Sequence, residues 1–122
     1  MRMKMKTYKT KEKAAADLGI TVNQLDAIGH AAYGVYQEIG ADLAEVNGGR
    51  GMSRNMVMEV VLDAGRTEEF LHRRSADYKR WEQKPEAIAD IDAAVAAMQS
   101  RQFSYEQLLG AMKLYFTYSR YE

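Results

Sequence analysis

Apolar residues return every third or fourth position along most of this chain, and the rhythm stops where glycine, asparagine, serine or proline gather. Thr10 stands in the N-cap position before a first short helix opening at Lys11, in which Ala15 and Leu18 are the apolar positions. After Gly19 and Ile20, Thr21 is placed to cap a second helix. Leu25, Ile28, Ala32, Tyr36, Ile39, Leu43 and Val46 keep the three-four spacing along it. Unbroken to Val46, that helix would be roughly 39 Å long. Gly29, Gly34 and Gly40 interrupt the stripe, and each costs about 1 kcal/mol relative to alanine in a helix interior. The pattern therefore leaves two arrangements open: a break near Gly29 to Gly34, or glycines lining a seam that another helix approaches closely.

Asn47-Gly48-Gly49-Arg50-Gly51 is a loop by composition. Ser53 caps a following helix with the apolar set Met56, Val57, Val60, Val61 and Ala64, and Met52 and Val57 stand at the positions of a hydrophobic staple. Gly65 ends it, and Thr67 is read as the cap of the next helix, with Glu68 and Glu69 near its positive end and Phe70, Leu71, Tyr78 and Trp81 as buried members. Pro85 suits the first turn of a further helix carrying Ile88, Ile91, Val95 and Met98. Ser104 and Gln107 form a capping box, Phe103 and Leu108 a staple, and Leu109, Met112, Tyr115 and Phe116 continue the last stripe. The expectation is an all-α, compact bundle of five or six helices. Residues 1–10 are expected to be a flexible basic arm, and residues 11–122 a single helical domain.

Composition supports this. At 122 residues with one proline, the chain suits one helical domain with a sizeable core. No stretch approaches the roughly 20 apolar residues of a membrane span. Met1 to Lys6 alternates methionine with charge and lacks the apolar run of a signal peptide. With no cysteine there is neither a disulfide framework nor thiolate chemistry, and a cytoplasmic setting is expected. The net charge of zero conceals segregation. Arg2, Lys4, Lys6, Lys9, Lys11 and Lys13 crowd the start, whereas residues 14–49 carry no lysine or arginine but include Asp17, Asp26, Glu38, Asp42 and Glu45. Arg66, Arg73, Arg74, Lys79, Arg80 and Lys84 make a second basic cluster. Such segregation points to a polyanion or an acidic protein surface as partner.

The most specific stretch is residues 11–28. Ala15 lies four residues before Gly19, Leu18 and Ile20 flank that glycine, and Leu25 and Ile28 follow at helical spacing. A tight turn needs a residue that tolerates positive φ, and two helices crossing closely need a small side chain between them. This spacing resembles the helix-turn-helix of DNA-binding proteins, over about a seventh of the chain. Phage repressors, excisionase-like factors and small terminase subunits carry such a motif near their start. The resemblance implies that residues 11–30 form the DNA-binding unit, presenting Thr21, Val22, Asn23, Gln24 and Ala27 to a major groove. The amides of Asn23 and Gln24 would pair with adenine, and Lys4, Lys6, Lys9, Lys11 and Lys13 would hold phosphates. It also implies a homo-oligomer on double-stranded DNA, with residues 31–122 as supporting and oligomerising helices.

Other constellations say less. The run from Gly48 to Arg54 precedes a helix start, so Arg50 and Arg54 are candidates for a secondary anion contact. Asp26 with His30, and Glu68 with His72, stand four apart, but two ligands do not make a metal site, and no metal or cofactor is expected. Ser53 and Ser104 are accounted for as caps, which leaves no catalytic set; an enzyme or a small-molecule substrate is not expected. Tyr118, Arg120 and Tyr121 are candidate interface residues, because exposed tyrosine and arginine dominate binding hot spots. They support an alternative: a non-enzymatic, phage-type helical protein that docks on a larger protein or nucleoprotein complex and inhibits or adapts it. A third reading is a single-stranded nucleic-acid binder using the arm and the aromatics.

Overall fold

Thr10 opens helix α1 (Lys11–Leu18) as the pattern predicts: its Oγ1 accepts from the Lys13 backbone N–H at 3.1 Å. The helix ends at Gly19, whose φ of 75° is left-handed. The Gly19 N–H donates to the Ala16 carbonyl at 3.2 Å and the Ile20 N–H to the Ala15 carbonyl at 3.0 Å, the paired bonds of a Schellman turn. The computed structural model describes residues 7–46, 61, 65–81 and 84–116. Gly19→Ala should cost about 1–2 kcal/mol in a urea melt, the penalty of a side chain in left-handed backbone. A Cβ there would also meet Gln102 Nε2 at 3.3 Å, whereas at Gly65 (φ 65°) it meets nothing within 4 Å. The Gly19 variant should therefore lose at least as much stability as Gly65→Ala.

Among the described residues, three further full helices follow helix α2 (Val22–Val46): α3 (Arg66–Arg80), α4 (Pro85–Ser100) and α5 (Tyr105–Phe116). The described residues are helical throughout these elements and contain no strand. The loop at Asn47 to Gly51 and the helix expected from Ser53 lie outside the described residues except at Val61, which is helical and buried.

A reciprocal capping box starts α2. The Thr21 N–H donates to Gln24 Oε1 at 3.0 Å, and the Gln24 N–H donates to Thr21 Oγ1 at 3.1 Å. From there α2 runs unbroken through Gly29 and Gly34, about 37 Å by helical rise. The glycines are a seam: the Tyr115 ring lies against Gly29 and the Phe70 ring against Gly34. This helix is the spine of the bundle and packs on each of the other four described helices. Leu25, Ile28 and Val35 from α2 meet Leu18, Leu71 and Met112 in the fully buried core. Ser75 of α3 donates to Asp92 of α4 at 2.6 Å, and Lys79 pairs with the same carboxylate at 3.5 Å.

Two local expectations are corrected. Thr67 does not cap α3; the preceding position is Gly65, and Thr67 is buried in the first turn with its Oγ1 unpartnered among the described residues. Trp81 is not buried: α3 ends at Arg80, one residue before the stripe would have turned it inward, and the indole is 60% exposed. Pro85 and the Ser104–Gln107 box do open α4 and α5, the latter with bonds of 2.6 and 3.1 Å.

Candidate nucleic-acid interface and the adjoining cleft

The turn between α1 and α2 is held from outside by the loop and first turn leading into α5. Gln102 Nε2 donates to the carbonyls of Leu18 (3.0 Å) and Gly19 (3.1 Å). Gln107 Nε2 donates to the Asp17 carbonyl (3.2 Å) and to Asp17 Oδ2 (3.1 Å), while its Oε1 serves the capping box. Carbonyls at the end of α1 lack helical partners, so two glutamines distant in sequence complete its C-terminus. On the same carboxylate, Tyr8 donates its hydroxyl to Asp17 Oδ2, which ties the approach to α1 down along that helix.

This turn brings several of the expected residues to one end of the molecule. Lys9, Lys11 and Lys13 are exposed, and so are Thr21 and Asn23. Gln24 is half-buried with its Oε1 committed to the cap, so a bidentate pair with adenine would require that bond to be given up. Val22 and Ala27 pack against the core. Ala27 also lines a shallow cleft with Asn23, His30, Tyr78 and Asp90, walled by α3 and α4. The available reading edge thus narrows to Thr21 and Asn23 at the first turn of α2. Lys4, Lys6, Arg50, Arg54, Tyr118, Arg120 and Tyr121 lie outside the described residues.

One cluster escaped the sequence. Asp26 accepts the Tyr115 hydroxyl at 2.6 Å and pairs with Lys11 Nζ at 3.3 Å. The same Nζ lies 4.7 Å from the centre of the Tyr115 ring, and His30 meets that ring edge-on at 6.4 Å. Burial first, then the hydrogen bond to Asp26 and the charges of Asp26 and Glu12, push the Tyr115 hydroxyl well above its ordinary 10.0. Burial and Asp17 do the same to Tyr8. A raised value means that the fold favours the neutral phenol. That stability is complete below the ordinary value of 10.0 and is lost as pH climbs beyond it. Tyr115→Phe should therefore show a shallower alkaline loss of stability above that pH than the parent protein. Equal slopes in urea melts would remove this hydrogen bond from the account.

Among the described residues, no three histidine or carboxylate side chains gather as metal ligands. None of their helices is long and apolar enough to cross a membrane. Trp81 stands beside Phe70, Arg73 and Tyr78 on α3, where Arg73 pairs with Glu38 at 3.6 Å. Compared with protein-family models, curated proteins and solved structures, the chain matches none.

Proposed function

We propose that this protein is a small, non-enzymatic, cytoplasmic DNA-binding protein, a regulator or the recognition subunit of a larger assembly. It binds duplex DNA through α1, the Gly19 turn and the first turn of α2. Lys9, Lys11 and Lys13, with Lys4 and Lys6 of the arm, contact phosphates, and Thr21 and Asn23 contact base edges, as a homodimer on paired half-sites. The observation that carries this reading is the turn itself. A left-handed glycine closes a Schellman turn between two close helices, with exposed lysines on one side and a capped, exposed helix start on the other.

Fluorescence anisotropy with random duplex DNA at about 50 and 200 mM salt tests it, because several phosphate contacts should lose roughly tenfold or more in affinity between the two. Absence of binding at the lower salt would overturn the reading. Asn23→Ala should then reduce preference among sequences while leaving the salt slope unchanged.

The walled face of α2 favours a second reading, a helical module that docks on a protein machine. Beyond Asn23, α2 offers a groove Asp26, already paired, the half-buried Ala27 and, a turn further on, His30. Under this reading Asn23→Ala leaves function intact.

A further inference from the structure

A cleft of about 560 Å³ opens between α2, α3 and α5, with Lys11 of α1 at its edge. That size falls within the ~300–1,000 Å³ usual for small-molecule sites. Tyr33, Phe70 and Tyr115 contribute aromatic walls, and Lys11, His30 and Arg74 the principal polar groups. Among the described residues, no carboxylate lines it.

The walls are fixed by packing. Phe70 and Tyr115 lie against the bare backbone of Gly34 and Gly29, and the Tyr115 hydroxyl is held by Asp26. Tyr33 is 40% exposed and stacks on Tyr36 at 6.0 Å and 21°. It presents a flat aromatic surface without losing order. The charge is one-sided as well. Lys11 is neutralised in part by Asp26, but Arg74 makes no ion pair among the described residues, and its guanidinium rests 5.6 Å from the Phe70 ring centre. A planar cation held beside aromatic walls, and not drawn into an ion pair among the described residues, selects a ligand that is flat and negatively charged.

We infer that this cleft binds a small planar aromatic anion, its ring against Tyr33 and Phe70 and its carboxylate or phosphate on Arg74, with Lys11 adding positive potential and the His30 ring a further polar edge. The inference does not depend on DNA binding, because it concerns a different class of ligand and its anchor is Arg74; Lys11 alone is shared with the proposed DNA-binding surface.

Titration of the full chain with 2-naphthoate, followed by amide NMR shifts, tests it against 2-naphthamide, which has the same ring without the charge. Saturable shifts are expected across Gly29 to Gln37 and at Phe70, Arg74 and Leu114. The amide should bind at least about tenfold more weakly, the worth of one charge-assisted hydrogen bond. Arg74→Gln should weaken 2-naphthoate by about the same factor, Arg74→Lys by less, and Lys84→Gln not at all, with thermal melts confirming that each variant is folded. Equal affinity for the acid and the amide would overturn the proposal, leaving only an apolar groove. It would also be overturned by shifts centred on Trp81, or by no saturation up to about 5 mM ligand, an affinity too weak for a built site.

Discussion

Gly29→Ala should lower the stability of the protein by about 1–3 kcal/mol, the range for overpacking, although the same change in an unpacked helix interior would raise it by about 1 kcal/mol. A Cβ at this position would sit 2.5 Å from Cδ1 and from Cε1 of Tyr115, and 2.7 Å from Cγ. The neighbour is the body of a ring whose far end is bonded to Asp26 at 2.6 Å, so it cannot swing aside without losing that bond. Gly34→Ala meets a softer obstacle. There the Cβ would lie 2.6 Å from Cζ of Phe70, the tip of a half-buried side chain with no hydrogen bond to break. The predicted order of destabilisation is therefore Gly29→Ala above Gly34→Ala. Urea melts of both, and of Gly29→Ala combined with Tyr115→Leu, measure it. The double variant should recover part of the loss, because the two sites share one contact. If Gly29→Ala instead raises the melting midpoint, the close approach of α5 to α2 is wrong.

These glycines also show where the sequence stopped informing. Helical spacing carried α2 from Thr21 to Val46, but the stripe could not say whether Gly29 and Gly34 break a helix or admit a neighbour. Their neighbours, Tyr115 and Phe70, lie on other helices, and nothing within a helical turn records them. Features governed by bonds between nearby residues were legible: the Thr10 and Thr21 caps, Gly19 in positive φ, Pro85 opening α4 and the Ser104–Gln107 box. Trp81 was misplaced because three-residue spacing from Tyr78 assumes that the helix continues, and α3 stops at Arg80. Thr67 was misplaced because a threonine before two glutamates resembles a cap, whereas a left-handed glycine at position 65 already starts the helix.

The candidate site divides the same way. Lys9, Lys11, Lys13, Thr21 and Asn23 are exposed beside the turn, as local spacing leads one to expect. The glutamines that hold the turn, Gln102 and Gln107, are more than eighty residues away along the chain, with separations of 83 to 90 to their acceptors. Side chains that reach across a bundle to orphan carbonyls leave no periodic trace. Asp26, in the sequence merely an acid where phosphates are expected, acquires a structural reason through Lys11 and Tyr115.

That reason makes Asp26 the position at which stability and binding should move in opposite directions. Asp26→Ala leaves the half-buried Tyr115 hydroxyl without its acceptor and should cost about 1–3 kcal/mol, the usual penalty for a stranded polar group. Asp26→Asn keeps an oxygen for that hydroxyl and loses only the charge, so its loss should be nearer 1 kcal/mol. Both changes free Lys11 from its 3.3 Å pair and remove a negative charge from the first turns of α2. If α1 and α2 bind duplex DNA, each variant should bind random duplex more tightly than the parent, with a salt slope steeper by about 0.9 for the one added phosphate contact. Asp26→Asn is the cleaner measure, since its fold is less disturbed. If the protein works instead by docking on another protein, each variant still loses the stability predicted for it and gains nothing on DNA. Stability alone would then explain why an acid occupies the helix that resembles a reader of bases.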